Sequence, residues 1–328
     1  MKVRTSDVFE AMAPDLAAVD RRLIDAARVD YPMVSSLVEE LVNTGGKRLR
    51  PLLLLLAAKG FHYDSDRAVT AAAGVELLHT ASLVHDDNID RAALRRGVPT
   101  LNTQLSAGAV ILIGDYLFAQ SAILAAATES TRVVAIFASS LADICDGQLR
   151  ETLDAHRLTQ NLVDYEKRIY GKTAALFAGA AEMGAVIGQA PEDAVRQLRD
   201  FGRDVGMAFQ IIDDVLDLRE GTQVLGKPAG NDLRQGVVTL PTMLFAQQLA
   251  PSSPDMLLLQ AVVSGDETDD DAINGLIDKV RRSGVLEESE ARAIFYTDQA
   301  RHRIDVVPDE EIRDFLFDIL ALAVVRSS

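Results

Sequence analysis

The chain has 328 residues, of which 48% are hydrophobic, and its formal net charge at pH 7 is −16. That length allows one large domain or two of ordinary size, and the apolar content is ample for a large core. The acidic excess excludes a general nucleic-acid binder, which would need a basic face. The single cysteine, Cys145, excludes an internal disulfide, suits a reducing compartment and is expected to be a small core residue.

Neither a secretory signal nor a membrane span is evident. The N-terminus lacks an apolar signal core, and the unbroken apolar runs 52–58 and 109–113 are much shorter than a span. Composition does not change abruptly along the chain, and no Pro/Ser-rich linker interrupts it. We therefore expect a soluble cytoplasmic protein with no transmembrane segment and one domain over residues 1–328.

Helical periodicity runs through nearly the whole chain, and no convincing alternating strand is present. The sequence predicts an all-α fold, a single-domain bundle of long antiparallel helices. The predicted helices cover 6–28, 31–43, 50–60, 65–91, 101–128, 131–156, 161–188, 192–219, 237–249, 254–263, 270–282, 285–302 and 309–325, with breaks at glycine and proline.

A basic turn, Gly45-Gly46-Lys47-Arg48-Leu49-Arg50-Pro51, leads into the third predicted helix. Exposed backbone N–H groups at such a helix start favour an anion, and Lys47 and Arg50 add charge-assisted donors. The pattern indicates a phosphate ligand, and an ordinary basic turn is the alternative.

An acidic triplet, Asp86-Asp87-x-x-Asp90, lies among apolar residues in the fourth predicted helix, and Arg95-Arg96-Gly97 follows it. Asp86 and Asp90 share a helix face, where like charges repel by roughly 0.2–0.5 kcal/mol per pair even when exposed. A cation should therefore bind there, and Mg²⁺ combines one or two carboxylates with substrate phosphate. The arginines match phosphate oxygens in pairs, and Gly97 is predicted to end the helix.

The triplet recurs with the same spacing at Asp213, Asp214 and Asp217. Upstream, Gly171-Lys172-Thr173 resembles the end of a P-loop, but position 166 is Glu where that motif needs Gly, so a Walker nucleotide site is rejected. Lys227 adds a cation after the second triplet. Two carboxylate clusters with scattered phosphate ligands suit a substrate whose diphosphate is held through Mg²⁺ and whose remainder is apolar.

A competing interpretation is a metal site at Glu76-Leu77-Leu78-His79, which has the Glu-x-x-His spacing of di-iron helix bundles. That site needs a second such motif, and the sequence has none. His79 is therefore expected either to face the same cleft as Asp86 or to be structural.

In this order the motifs resemble those of the trans-isoprenyl diphosphate (polyprenyl) synthases, over about residues 40–245. The resemblance implies an all-α isoprenoid synthase bundle around a deep central cavity, usually a homodimer. It implies an enzyme that condenses isopentenyl diphosphate with an allylic diphosphate, using three Mg²⁺ per active site.

The same resemblance implies a role for each matching residue. The metal ligands would be Asp86, Asp87, Asp90, Asp213, Asp214 and Asp217. The allylic diphosphate ligands would be Arg95, Lys172, Thr173, Gln210 and Lys227, and the isopentenyl diphosphate ligands Lys47, Arg50, His79 and Arg96. The catalytic group would comprise Asp86, Asp87, Asp90, Lys172, Asp213 and Asp214. One departure is Val237, where many relatives carry a phosphate-binding lysine; we interpret it as a change in affinity.

Chain length is predicted from Ala81 and Ser82, one helical turn before Asp86. Small side chains there leave room beneath the growing chain, and one turn rises about 5.4 Å, comparable to one isoprene unit. A medium- or long-chain all-trans product is expected, with geranylgeranyl or farnesyl diphosphate as the shorter alternative.

Three other classes of protein are alternatives. A class I terpene cyclase also binds Mg²⁺ through an aspartate triplet, but it typically lacks a second diphosphate site such as Lys47, Arg50 and Arg96 suggest. A non-catalytic subunit of a heteromeric synthase would be signalled by loss of a triplet, and both are present. A helical bundle without ligand is the third alternative.

Overall fold

The computed structural model describes residues 5–43, 46–95, 97–219 and 229–324, and helices account for most of them, which confirms the all-α prediction. The longer N-terminal helices are α1 (Thr5–Ala27), α2 (Pro32–Asn43), α3 (Leu49–Lys59), α4 (Ser65–Ile89), α5 (Ala107–Ala127), α6 (Thr131–Asp154), α7 (Leu162–Ile169), α8 (Ala175–Ile187) and α9 (Glu192–Arg219). They are followed by α10 (Asn231–Arg234), α11 (Leu240–Gln248), α12 (Pro254–Ser264), α13 (Asp270–Arg282), α14 (Val285–Arg301) and α15 (Glu310–Val324).

The segment between α4 and α5 differs from the prediction. Gly97 does not end a helix; it has a φ of 77° in the turn of a small antiparallel hairpin, β1 (Leu94–Arg95) and β2 (Val98–Pro99). The sequence shows no sign of these two strands, because two-residue strands are too short to show alternation. The helix predicted from residue 101 begins only at Ala107, where the Ser106 hydroxyl accepts a hydrogen bond from the Ala109 N–H.

A further difference lies inside the helix predicted over 161–188. The Asn161 side chain caps its start, accepting a hydrogen bond from the Asp164 N–H. The helix then widens into a π turn, Tyr170–Ala174, between α7 and α8. Such turns occur often at functional sites, and this one contains Gly171-Lys172-Thr173.

Among the described helices, α5 is the one long and apolar enough to cross a membrane, judged by length and composition alone. It has 21 residues, and 39% of its most apolar stretch is buried inside the protein. The prediction of no span rested on unbroken apolar runs, whereas this helix continues through Gly114 and Asp115. One such helix is weak evidence for membrane insertion, since core helices of soluble proteins also meet the criterion.

The chain divides into two compact units. The first comprises residues 1–142, 175–203 and 300–322, and the second comprises residues 143–174, 204–299 and 323–328. The expectation of one functional domain over the whole chain stays a prediction.

In the first unit, α4 packs against α1, α3 and α5, and α3 also packs against α8. Leu52–Leu56 of α3 is completely buried, and full burial of each leucine contributes roughly 1.5–3 kcal/mol. The close approach of α8 depends on Gly184, because a Cβ there would lie 2.2 Å from the Leu54 carbonyl oxygen. This packing holds the basic turn before α3 and the acidic end of α4 in one unit.

The core of the second unit is built around the C-terminal half of α9, where Ile211, Val215 and Leu218 are buried. Two glycines bring α6 and the π turn together. A Cβ at Gly147 would lie 2.3 Å from the Lys172 backbone nitrogen, and one at Gly171 would lie 2.5 Å from the Asp143 carbonyl oxygen. The glycine pair therefore fixes the backbone that carries Lys172.

Cys145 was predicted to be a core residue, and this was wrong. It is exposed on α6, where Asp146 and Leu149 are exposed as well. Free cysteine is among the most often buried residue types, but the described residues do not cover this side of α6.

Candidate active site

The first acidic triplet lies at the C-terminal end of α4, and its three carboxylates differ in exposure. Asp87 is buried, Asp86 is half-buried and Asp90 is exposed. Asp90 follows the last helical residue, and its N–H donates to the Asp86 carbonyl at 2.8 Å. One member of the triplet is therefore held inside the fold, and the other two lie nearer to solvent.

Arg95 reaches from β1 to this triplet. Its Nε lies 2.9 and 3.0 Å from the two carboxylate oxygens of Asp87, and the Asn102 amide donates to the Asp87 carbonyl at 2.7 Å. The residue predicted to bind phosphate thus contacts a predicted metal ligand. A guanidinium has five donors, so the terminal nitrogens of Arg95 can serve a phosphate while Nε holds Asp87.

The predicted isopentenyl diphosphate residues that the structure describes lie in the same unit as this triplet. Lys47 is exposed, and the guanidinium of half-buried Arg50 lies 4.4 Å from the ring centroid of Phe177. His79 is half-buried on α4, seven residues before Asp86 and so on the same helix face. Gly45 and Arg96 lie outside the described residues.

The proposed chain-length residues occupy the same helix. Ala81 is completely buried, and Ser82 is half-buried with its hydroxyl donating to the His79 carbonyl at 2.8 Å. Glu76, considered earlier as a possible iron ligand, is buried and accepts a hydrogen bond from Arg48 at 2.9 Å. An ion pair therefore explains this glutamate without a metal.

The second acidic triplet lies on α9 in the second unit. Asp213 is exposed, whereas Asp214 is buried with both oxygens hydrogen-bonded. The Tyr165 hydroxyl donates to Asp214 Oδ2 at 2.7 Å, and the Gln210 amide donates to Oδ1 at 2.8 Å. Asp217 accepts the backbone N–H groups of Asn231 and Asp232 at 3.1 and 3.2 Å. Every member of this triplet therefore has a different environment.

A chain of hydrogen bonds joins the π turn to the second triplet. The Thr173 hydroxyl donates to Gln210 Oε1 at 2.6 Å, and Gln210 in turn donates to Asp214. Lys172 forms an ion pair with Glu151 of α6. The structure thus places Lys172, Thr173, Gln210 and the second triplet in one region of the second unit, and their roles as diphosphate and metal ligands stay predictions. Lys227 lies outside the described residues.

Loss of solvent raises the pKa values of several acidic groups in this region. Burial, reinforced by the charge of Asp232, raises the pKa of Asp214 to about 7 and that of Asp217 to about 8. Burial and the charge of Glu151 raise the pKa of Asp232 to about 6, although Lys172 opposes the shift. Burial also raises the pKa of the Tyr165 hydroxyl well above its usual value. A cation placed here would favour the ionised carboxylates.

The carboxylates fit a metal ion that arrives with a phosphate. In the parts of the chain that the structure describes, no three His, Cys, Asp or Glu side chains form a ready-made metal cage. Mg²⁺ does not need one, since it usually keeps several waters and binds one or two carboxylates together with substrate phosphate. Half-buried Asp86 and exposed Asp90 can offer oxygens in that way in the first unit, and exposed Asp213 can do so in the second.

Four residues of this region were missed by the sequence analysis: Glu151, Tyr165, Arg168 and Asp232. Arg168 is buried, donates to the Val238 carbonyl at 2.6 Å and to Gln160 at 2.7 Å, and lies over the Tyr165 ring. Its position one turn before Gly171 was a usable signal, because a charged residue in that apolar face needs a partner. Glu151 and Asp232 resemble ordinary surface acids in the sequence.

Comparison with known proteins decides the family. The model of the polyprenyl synthetase family matches residues 31–280, most of the chain. The chain belongs to the polyprenyl synthetase family. The resemblance found in the motifs is thereby confirmed, and the chain is a prenyltransferase with the all-α isoprenoid synthase fold.

Three relatives illustrate the match. Heptaprenyl diphosphate synthase component 2 of Geobacillus stearothermophilus is 39% identical over 312 residues, covering 95% of this chain and 96% of that protein. A polyprenyl synthase from Caulobacter crescentus CB15, solved with calcium and isoprenyl diphosphate, is 33% identical with a TM-score of 0.93, covering 99% of this chain and 98% of its own. A decaprenyl diphosphate synthase from Rhodobacter capsulatus is 36% identical with a TM-score of 0.92, covering 99% of each chain.

Proposed function

We propose that this prenyltransferase uses Mg²⁺ to condense isopentenyl diphosphate with an allylic diphosphate, giving a medium- or long-chain all-trans polyprenyl diphosphate. The observation that carries the proposal is the acidic cluster of buried Asp214 and half-buried Asp217 and Asp232, whose carboxyl pKa values are raised, with Lys172 in electrostatic contact with Asp232. Such a cluster needs a cation, and the neighbouring Lys172 and Thr173 can donate hydrogen bonds to a diphosphate.

In this proposal both triplets would bind one allylic diphosphate through Mg²⁺. Asp86, Asp87, Asp90, Asp213, Asp214 and Asp217 would hold Mg²⁺, three ions per active site. The hydrogen bonds already accepted by Asp87 and Asp214 do not prevent this, because each carboxylate oxygen has two lone pairs. Bound Mg²⁺ would neutralise the charge that develops on the departing diphosphate.

The side chains would bind the two substrates and would not themselves form bonds to them. Arg95, Lys172, Thr173, Gln210 and Lys227 would hold the allylic diphosphate, and Lys47, Arg50, His79 and Arg96 the isopentenyl diphosphate. The allylic C–O bond breaks with its electron pair on the diphosphate oxygen. The double bond of isopentenyl diphosphate then forms the new C–C bond, and the released diphosphate takes the proton. No side-chain nucleophile is required.

Product length in this proposal depends on the side of α4 that carries Ala81 and Ser82. The names of the heptaprenyl and decaprenyl synthases above support a product longer than geranylgeranyl diphosphate. Replacing Ala81 with Phe would put a bulky ring one turn before Asp86. We expect the main product to shorten by at least one isoprene unit, since a helical turn rises about 5.4 Å. Chromatography of the products measures their length. An unchanged length distribution would show that Ala81 and Ser82 do not limit the product.

We also propose that a second copy covers the exposed side of α5. Ile111, Leu112 and Ile123 are large apolar residues exposed there, and Val134 of α6 is exposed as well. An apolar surface of this kind marks an interaction site, and a homodimer would bury it symmetrically. The relative named as component 2 of a synthase makes a different second subunit the alternative. A cytoplasmic location fits the single cysteine.

One incubation tests the reaction and its alternatives together. Purified protein is given isopentenyl diphosphate and allylic primers of several lengths, with Mg²⁺ or with a chelator. We expect polyprenyl diphosphate to form only with Mg²⁺ and both substrates. Consumption of the allylic primer without isopentenyl diphosphate would indicate a terpene cyclase. No turnover until another subunit is added would indicate a regulatory or heteromeric role, and products that stop at 15 or 20 carbons would indicate the short-chain alternative.

A further inference from the structure

Arg48 has a backbone conformation that is unusual for its residue type. It precedes the first residue of α3 with φ 52° and ψ 37°, in the left-handed region, and its side chain does not cap the helix. A non-glycine residue in such a conformation costs on the order of 1–3 kcal/mol and persists only where the surroundings over-determine it. Something around Arg48 therefore holds the turn in place.

The side chain of Arg48 supplies that constraint by contacting three other helices. Its Nε lies 3.1 Å from Asp20 Oδ1 on α1, and its Nη1 lies 2.9 Å from Glu76 Oε1 on α4. Its Nη2 donates to the Val42 carbonyl of α2 at 2.6 Å. The Arg48 and Glu76 side chains are only 12% and 6% exposed. A guanidinium can hold three acceptors in fixed directions, which a lysine ammonium cannot.

The ion pair joins the two segments that carry the proposed isopentenyl diphosphate ligands. Lys47 precedes Arg48, Arg50 follows it in the first turn of α3, and His79 lies one helical turn after Glu76 on α4. The distance between these ligands depends on how the turn is fixed against α4. Arg48 is therefore placed to set that distance, although its own nitrogens are occupied by protein acceptors.

We propose that the Arg48–Glu76 ion pair positions the basic turn for binding isopentenyl diphosphate, with Arg48 a positioning residue rather than a substrate ligand. The inference rests on the proposed function, in which Lys47, Arg50 and His79 bind that diphosphate. It predicts an effect on one substrate only, because the allylic diphosphate is assigned to other residues.

The test compares Arg48→Lys and Glu76→Gln with the wild type. Arg48→Lys keeps the positive charge but loses the planar guanidinium group. Glu76→Gln keeps a hydrogen-bond acceptor but loses the negative charge. For both we expect the KM for isopentenyl diphosphate to rise roughly tenfold, in keeping with loss of a charged hydrogen bond. The KM for the allylic substrate and kcat should change by less than about threefold. Titration calorimetry with isopentenyl diphosphate alone should show the same loss of affinity.

Arg22→Lys is the matched control, since Arg22 also links α1 to α4, but through Asp66 and Thr70 in the first two turns of α4. It should leave both KM values unchanged. Equal rises in both KM values, or a lower melting temperature with unchanged isopentenyl diphosphate affinity, would show that the ion pair is only structural. Failure of the proposed function is separate: the wild type itself would then not turn over or not bind isopentenyl diphosphate.

Discussion

At the scale of single residues, the proposed chemistry depends on burying carboxylates that the sequence shows only as a repeated pattern. Asp214 is enclosed by donors from Tyr165 and Gln210, whereas Asp213 beside it is exposed. Neighbouring aspartates of one triplet therefore have different environments, because adjacent positions on a helix point about 100° apart.

The raised pKa of Asp217 predicts a pH-dependent stability in the metal-free protein. Burial raises its pKa to about 8, so the folded state holds this proton more tightly than the unfolded state does. The resulting stability is present below about pH 4 and is lost as the pH rises towards 8. Chemical denaturation in chelator at pH 6 and pH 8.5 should show wild type losing at least about 1.4 kcal/mol more than Asp217→Asn, the equivalent of one pKa unit.

The exposed Asp271 of α13 provides the control, and Asp271→Asn should keep the wild-type pH dependence. Mg²⁺ should stabilise the wild type more at pH 8.5 than at pH 6, because the carboxylates it binds are then ionised. Equal pH dependence in wild type and Asp217→Asn would contradict the assignment.

The sequence predicts which residues belong to the candidate site better than it predicts the environment of each side chain. The two triplets could be recognised by their repeated spacing, whereas the roles predicted for Lys172, Thr173 and Gln210 came from the resemblance to the polyprenyl synthases. Tyr165 and Asp232 were missed because their roles come from contacts with α9, and a single sequence carries no signal of those contacts. Arg95 was found, but its hydrogen bond to Asp87 depends on a hairpin that was not predicted.

At the scale of elements, the π turn Tyr170–Ala174 is the feature on which the second half of the site depends. It widens the helix where Gly171 meets Gly147 of α6, so that two backbones come into contact. Most helix boundaries were predicted to within a few residues because apolar periodicity and caps are local, but α5 begins at Ala107 rather than at residue 101. The π turn was not, since it changes the hydrogen-bond pattern by one residue and leaves the apolar pattern nearly intact.

Gly147→Ala tests the contact between these elements. The added Cβ would lie 2.3 Å from the Lys172 nitrogen, so the backbone of the π turn must move. We expect roughly 1–3 kcal/mol of destabilisation from overpacking and at least about a tenfold loss of kcat/KM, because Lys172 moves with it. Gly275→Ala in α13 meets open space and should be neutral or stabilising by up to about 1 kcal/mol. Full activity in Gly147→Ala would contradict the role of this contact.

At the scale of the whole molecule, α5 has an apolar side that is exposed in the single chain. It explains why this helix resembles a membrane span in length and composition while the chain shares nearly its full length with the polyprenyl synthases described above. We interpret it as the face of a homodimer. The sequence could not predict which apolar residues face a partner, because core and interface positions share the same helical periodicity.

Leu112→Glu tests the dimer. Leu112 is 68% exposed on α5, and a carboxylate there would have to be desolvated in the interface. We expect the dimer dissociation constant to rise more than about 100-fold, measured by light scattering after gel filtration over a range of concentrations. Leu257→Glu, at a residue 57% exposed on α12, is the control and should leave the mass unchanged. A wild type that is monomeric at all concentrations would contradict the proposal.

The central claim is that both aspartate triplets act on one diphosphate, and a double-mutant cycle tests it most directly. Asp86→Asn, Asp213→Asn and the double variant are compared in kcat/KM at saturating Mg²⁺, with folding checked by circular dichroism. We expect each single change to cost at least about 100-fold. The double variant should lose far less than the product of the two, since both groups serve one step. Full multiplication of the two losses, or wild-type turnover in either single variant, would contradict the claim.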